Sequence, residues 1–499
     1  MNEILQIPTK VSEFLSTTRK MYINGEWVPS ESGKIYESIN PANGLILGTI
    51  YEGNREDVNK AVKAAKTAFK GSWAKTSPAE RARLLNKLAD LLEKRADEFA
   101  YLETLEYGSP INRTQNASLP SAIAHLRTSA SWATKLTGKT IELTNGGNVH
   151  AYTKREPLGV CGQITSWNFP ILGACWKLGA PLATGNTVVL KPSLQTSMGT
   201  LLLGELIQEA GFPNGVVNIV TGPGGEVGNA ITTHPDIDKI SFTGSTEVGK
   251  GIMRNASINL KKITLELGGK SPNIIFADSD LDKAVEGAVK GASFQNQGQS
   301  CGAGTRIYVE KSVYNEVVER ITVQVKNIKV GNPLNPTTMM GPLVSKQHHE
   351  RVISYIESAR KDGATILTGG NIPKDKELSD GYYLEPTLIT NLDENCSAVK
   401  EEIFGPVIAV LPFEEIDEVI ERANLTDYGL AAGVWTKDIS KAHKMIDVIE
   451  AGTVWVNGYL LMNDNMPFGG YKQSGFGKEL GYEGIEGYTK LKSVVINLD

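Results

Sequence analysis

The chain has 499 residues, a formal net charge of −5 at pH 7 and 40% hydrophobic residues, enough for two or more domains and a large core without metal or disulfide staples. Mild acidity argues against nucleic acid or an anionic membrane as main partner, since both select basic patches. Four scattered cysteines with no CxxC pair exclude a disulfide scaffold, and six histidines without an HExxH leave a metal site unsupported.

The first stretch, MNEILQIPTKVSEF, has neither the basic start nor the apolar core of a secretory leader. No window has the run of about 18 apolar residues that a membrane span needs, so a soluble, cytoplasmic protein is expected. Residues 1–55 read as irregular, with turn signals at Asn24-Gly25 and Asn43-Gly44. Val58, Val62, Ala65 and Phe69 then share one face at helical spacing. Residues 80–105 repeat the pattern, with Leu84, Leu88, Leu91 and Leu92 against Arg81, Lys87 and Glu93. From about residue 157 short apolar runs at 159–164, 187–191, 216–220 and 239–243 alternate with helical stretches, notably 197–210. That rhythm predicts right-handed crossovers and a parallel, doubly wound sheet, which binds ligands at the carboxyl ends of its strands. A second alternation runs from 306–310 to 453–457, so two α/β domains are expected, joined near residue 270. Residues 140–156 and 491–498 read as strands remote from both cores: plain surface strands, or a ribbon that pairs with another subunit.

Three motifs compete for the chemistry. Gly244-Ser-Thr-Glu-Val-Gly249-Lys250 begins like a P-loop, but Gly251 stands where a magnesium-binding hydroxyl is required. What survives is a glycine turn between a strand and a helix, whose N–H groups and dipole favour phosphate, or else a plain tight turn. Gly298-Gln-Ser300-Cys301-Gly302 is formally GxSxG, yet a helical pattern precedes it and a strand follows, the reverse of a hydrolase elbow. Cys301 itself lies in a polar loop of small residues, with glycines that admit a substrate and free backbone N–H groups for an oxyanion. Cys161 and Cys175 sit in apolar surroundings as structural cysteines do. Glu266 interrupts an apolar strand ahead of two glycines; such a carboxylate is either functional or salt-bridged to Lys262 or Lys270.

Taken together, these residues resemble the aldehyde dehydrogenase superfamily over nearly the whole chain. The likeness is carried by Ser166-Trp-Asn-Phe-Pro170, Val189-Leu-Lys-Pro-Ser193, Phe242-Thr-Gly-Ser-Thr-Glu-Val-Gly249, Leu265-Glu-Leu-Gly-Gly-Lys-Ser-Pro272 and Gly298-Gln-Ser-Cys301. It continues through Lys400-Glu-Glu-Ile-Phe-Gly-Pro406 and Pro467-Phe-Gly-Gly-Tyr-Lys-Gln-Ser-Gly475. The resemblance implies that Cys301 is a nucleophile forming a thiohemiacetal and then a thioester, and that Asn168 and the Cys301 N–H hold the oxyanion. Glu266 would activate water or deprotonate the thiol, and Lys177 with Glu479 would relay protons.

The implied cofactor is NAD or NADP. Lys191 and Ser193 would contact the adenosine ribose; Gly224, Gly228 and Ser245 the adenine and pyrophosphate path; Glu402 and Phe404 the nicotinamide ribose and ring. Ile164, Thr165, Trp167, Leu194, Phe242, Thr243, Gly244, Val248, Leu267 and Gly268 complete that set, and no metal is implied. The substrate tunnel would be lined by Phe169, Leu172, Gly173, Trp176, Gln295, Leu460, Met462 and Phe468. Leu194 departs from the glutamate of many NAD-preferring members, which suggests that NADP is tolerated. Ser166 replaces a common proline, which suggests a looser loop, and Gly173 and Gln295 suggest a wider, more polar tunnel.

The implied fold is α/β: two doubly wound α/β domains, one a Rossmann-like coenzyme domain and one catalytic, with a small β oligomerisation ribbon. The expected division is 1–138 and 158–269 for coenzyme, 270–478 for catalysis, and 139–157 with 485–499 for a homotetramer or homodimer. The expected reaction is NAD(P)-dependent oxidation of aldehydes to carboxylic acids. Alternatives are a narrow semialdehyde or betaine-aldehyde dehydrogenase, an enzyme that passes the acyl group to coenzyme A, and a non-catalytic binding protein of the same fold. The acylating reading should lack Glu266, and the binding reading has no need of Cys301, Glu266 and Asn168 together.

Overall fold

The computed structural model describes residues 6–499; the first five residues of the stretch in which no secretory leader was expected lie outside the described residues. Five parallel strands form the centre of an eight-stranded sheet, in the spatial order Val217–Ile219, Thr187–Lys191, Val160–Ile164, Lys239–Thr243, Lys262–Glu266. Numbered along the chain this is 3-2-1-4-5, the Rossmann order, and the chain reverses direction of winding between Val160–Ile164 and Lys239–Thr243. Apolar clusters cover both faces, one including Leu178, Leu190 and Leu203 and the other Val160, Val189 and Ile240.

The second sheet has seven strands and is parallel except at its Thr365–Thr368 edge. Its centre is Val407–Phe413, Arg306–Glu310, Pro272–Ile275 and Ala431–Trp435. The chain passes from one sheet to the other between Glu266 and Pro272. A third sheet, of three antiparallel strands, joins Thr489–Asn497 to Val149–Pro157 and Thr140–Ile141.

Residues 6–55 are more ordered than expected. They hold the helix Thr9–Leu15 and two hairpins, Met21–Ile23 with Glu26–Val28 and Ile35–Ile39 with Ile46–Tyr51. The Asn24-Gly25 turn closes the first hairpin, with φ of 55° and 82°. Strands of three residues are too short to show a period of two; this pair is held by distant partners, Tyr22 pairing with Ile219. The pattern at 80–105 is two helices, Pro78–Lys94 and Ala96–Tyr107, parted at Arg95.

Candidate active site

The strand Val160–Ile164 ends at the reversal point of the first sheet, and the loop 165–169 then leads into the helix Pro170–Ala183, begun by a proline that needs no N–H partner there. This loop carries Asn168. Cys301 lies opposite, between the short turn Phe294–Asn296 and the strand Arg306–Glu310. Its loop is pinned rather than free: Gln297 Nε2 donates to Gly108 O at 3.0 Å, Gln299 Nε2 to Tyr107 Oη at 3.0 Å, and Val344 N to Gln299 Oε1 at 3.1 Å. Gly298 has φ 67°, and a Cβ there would lie 2.0 Å from Gly405 O, so only glycine fits. Asn168 Nδ2 donates to Gln299 O at 2.9 Å and thereby ties the two loops together.

Both loops open into one cavity of about 730 Å³. Cys301, Asn168, Glu266 and Lys177 line it, as do Thr165, Thr243 and all eight expected tunnel residues: Phe169, Leu172, Gly173, Trp176, Gln295, Leu460, Met462 and Phe468. Neither the Cys301 nor the Gly302 N–H donates to a backbone oxygen among the described residues; both are directed at the Cys301 sulfur, beside which an oxyanion would develop. Burial, with the nearby Glu402 and Glu266 carboxyls, pushes the Cys301 thiol up to about 12.

Ser166 does the opposite of loosening its loop. Its Oγ donates to Asn168 Oδ1 at 2.7 Å and fixes which end of the amide faces which way. The proline expected at that position has no such donor.

Glu266 forms neither salt bridge considered for it. Lys262 Nζ donates to Thr489 O at 3.1 Å and Lys270 Nζ to Ala398 O at 2.8 Å. Both Glu266 carboxylate oxygens are buried without a partner. Burial and, next, the Glu479 charge push this carboxyl well above the usual carboxylate range. Behind it, buried Lys177 contacts Glu479 and donates to Ser241 Oγ at 2.7 Å, and Ser241 Oγ donates to Glu479 Oε1 at 2.7 Å. Burial alone would raise the Glu479 carboxyl, but the Lys177 ammonium holds it below its ordinary value. Glu479 itself does not reach the cavity lining.

The expected nucleotide-binding residues gather at the carboxyl ends of the first sheet's strands. Ile164, Lys191 and Thr243 end three of them, Phe242 precedes Thr243, and Leu267-Gly268 follow Glu266. Gly244 leads to Ser245, which caps the helix Thr246–Ala256, where Val248 is exposed. Gly224 and Gly228 bound a separate turn, and a Cβ on either would meet nothing within 4 Å. Such an open, glycine-floored surface beside a helix N-terminus fits a dinucleotide. Lys191 Nζ is buried and donates to Pro192 O at 3.0 Å, with burial lowering it to about 8. Ser193 and Leu194 are half-buried, and Leu194 packs on the core. From the other side, Glu402 accepts from Gly269 N at 2.8 Å and is held up at about 7 by burial. Trp167 packs edge-on against Phe404 with ring centroids 5.2 Å apart.

Several residues had no legible signal. His348 donates to Phe404 O at 2.7 Å and lies 5.1 Å from the Trp167 ring, and burial lowers it to about 4, so it is neutral. Arg113, Ser121 and Asp464 also line the cavity. Ser129, His125 and Asp464 stand at distances resembling a hydrolytic triad, 3.2 and 3.1 Å, but the adjoining space is about 10 Å³ and admits no acyl group.

The aldehyde dehydrogenase family profile matches residues 27–494. This chain belongs to the aldehyde dehydrogenase family. It is 47% identical over 482 residues to the mitochondrial aldehyde dehydrogenase of Homo sapiens, covering 96% of this chain and 92% of that protein. It is 47% identical over 495 residues to aldehyde dehydrogenase 1A1 of Mus musculus, covering 99% and 97%. The structure of an NAD⁺ complex of aldehyde dehydrogenase from Bacillus cereus superposes with a TM-score of 0.97 at 48% identity, over 100% of both chains. The protein is an enzyme that oxidises aldehydes, with NAD or NADP as cofactor, on two α/β domains with added antiparallel strands. No described helix is long and apolar enough to cross a membrane.

Proposed function

We propose that this aldehyde dehydrogenase converts aldehydes to carboxylic acids by covalent catalysis at Cys301. The observation that carries the reading is the convergence of Cys301, Asn168 and an unpartnered Glu266 on one cavity. A thiol pushed up to about 12 is a weak nucleophile until a base removes its proton. Glu266, raised by burial, is a stronger base than an ordinary carboxylate and takes that proton. The sulfur adds to the aldehyde carbon, and the new oxyanion accepts hydrogen bonds from the Cys301 and Gly302 N–H groups and the second amide proton of Asn168. NAD or NADP, with its nicotinamide half held by Glu402 and Phe404, would supply the acceptor for the hydride. The acyl group remains on Cys301 as a thioester, and Glu266 takes a proton from the water that attacks it. Lys177, Ser241 and Glu479 carry the thiol proton away before the water attacks, and the water proton then passes from Glu266 to the Cys301 thiolate as the acid leaves. Phe242 through Val248, Gly224, Gly228, Lys191 and Ser193 would hold the adenosine half and pyrophosphate, and Glu402 and Phe404 the nicotinamide half.

Leu194, with no charge to repel a 2′-phosphate and with Lys191 and Ser193 alongside, supports use of NADP as well as NAD. The division into 1–138 with 158–269, 270–478, and 139–157 with 485–499 assigns coenzyme binding, catalysis and assembly. Assembly as a homodimer or homotetramer is supported by the largely exposed third sheet, where Leu491, Val495 and Ile496 present an apolar strand with a free edge. Four free thiols suit the reducing cytoplasm.

The test is absorbance of reduced nicotinamide with a panel of aldehydes, each run with NAD and NADP, for wild type and Cys301→Ala. Turnover that disappears in the variant is expected; no turnover of any aldehyde by the folded wild type would overturn the reading.

A further inference from the structure

A guanidinium in the wall of an aldehyde tunnel needs a reason. Arg113 closes the short helix Ile111–Arg113 and lines the cavity. Of its five N–H donors one is used, Nη1 donating to Ser109 Oγ at 3.1 Å. The group lies over the Phe169 ring, 5.3 Å from its centroid, and Phe169 directly follows the oxyanion-binding Asn168. No carboxylate pairs with it among the described residues.

The neighbouring acids do not neutralise it. Glu103 is buried and attracts the guanidinium from nearby, but its Oε1 accepts from Ser118 Oγ at 2.6 Å and it forms no salt bridge with Arg113 among the described residues. Asp464 is engaged by His125, and Glu286 stands at the exposed rim with Lys290 four residues on. Arginine stays protonated even when burial lowers it, as here. Arg113 is half-buried and its remaining donors are unused, so a ligand that brings an opposite charge gains charge-assisted contacts there. There is room for one: Ala117 and Ser121 are small, and a Cβ on Gly173 would meet nothing nearer than 3.9 Å.

Resting on the function proposed above, we infer that Arg113 receives a carboxylate at the far end of the substrate, so that the preferred substrates are ω-oxo carboxylic acids. The planar fork matches a carboxylate in bidentate fashion, with the guanidinium carbon over the Phe169 ring. The aldehyde then reaches Cys301 while the tail charge stays at Arg113. The contact is made equally in ground and transition states, so it acts on KM.

The experiment compares kcat/KM for the semialdehydes from succinic to suberic with the n-alkanals of matched length, in wild type, Arg113→Met and Arg113→Lys. Wild type is expected to favour the oxo acid at one or more lengths. Arg113→Met should lower that oxo-acid to alkanal ratio about 10- to 100-fold, through KM, as loss of a charge-assisted contact does, with Arg113→Lys in between. Wild type that turns over alkanals at least as well as oxo acids at every length overturns the inference without any variant, and so does a ratio that Arg113→Met leaves unchanged. A phosphate-tailed aldehyde that outperforms every oxo acid overturns the carboxylate assignment. Failure to oxidise alkanals and oxo acids alike would instead sink the proposed function, and this inference with it.

Discussion

Ser166→Ala removes one hydroxyl and tests whether the Asn168 amide needs to be oriented. In the wild type Ser166 Oγ donates to Asn168 Oδ1 at 2.7 Å, and Asn168 Nδ2 donates to Gln299 O at 2.9 Å. Asn168 is only 4% exposed, so few waters can replace the lost donor. The Gln299 anchor survives, which makes the loss that of one neutral hydrogen bond, about 0.5–1.5 kcal/mol. If that bond serves chiefly to aim the second amide proton at the developing oxyanion, the loss falls on the transition state and kcat/KM drops about 2- to 13-fold. KM for the aldehyde should move little. The assay is steady-state oxidation of one good aldehyde by wild type, Ser166→Ala, Asn168→Ala and the double variant. The reasoning requires that Ser166→Ala cost much less once Asn168 is already alanine. Equal cost in both backgrounds, or no cost in either, refutes it.

Glu266→Gln should slow both thiol deprotonation and thioester hydrolysis, lowering kcat by about 10²- to 10⁴-fold with no fast burst of reduced cofactor. In the wild type the raised Glu266 carboxyl gives kcat that climbs with pH until the carboxylate forms, above the ordinary carboxyl range. Because the folded state binds that proton more tightly than the unfolded chain, its contribution to stability is full below the unfolded carboxyl value. It fades as pH rises through the folded one; Glu266→Gln should flatten both profiles. Lys177→Met leaves Glu479 buried without its counter-ion and should cost about 3–5 kcal/mol, read as a lower denaturation midpoint and partly restored by Glu479→Gln. Leu194→Glu should lower kcat/KM for NADP at least about tenfold relative to NAD, because the carboxylate and the 2′-phosphate repel; an unchanged ratio would remove Leu194 from cofactor choice.

The parallel strands were legible because each is buried on both faces and reads as a continuous apolar run: Thr187–Lys191 and Lys239–Thr243 match their expected bounds. The first hairpin was not, since Met21–Ile23, to which Glu26–Val28 adds as an edge strand, gains its stability from pairing with a strand some 190 positions on. Cys301 and Glu266 stood out for a chemical reason: each is a reactive or charged group in surroundings that do not otherwise call for one. The structure strengthens that reasoning for Glu266 by showing both candidate lysines engaged elsewhere.

Arg113 and Ser166 were silent for the converse reason. In the run Ile-Asn-Arg-Thr-Gln-Asn-Ala-Ser at 111–118 an arginine among polar residues reads as solvated surface, and nothing local says otherwise. Only the packing of Ile111–Arg113 against the loop after Val160–Ile164 brings the guanidinium over Phe169 and into the cavity wall. Ser166, compared with the proline common at its place, suggested lost rigidity because proline's contribution is to the backbone, whereas the serine acts through its side chain on a residue two positions away. Local sequence announces groups whose chemistry conflicts with their neighbours. It is mute about groups that look ordinary where they stand and become consequential only against a distant partner. Substrate choice in this enzyme rests on the second kind, so the reaction could be read from the chain while the aldehyde it prefers could not.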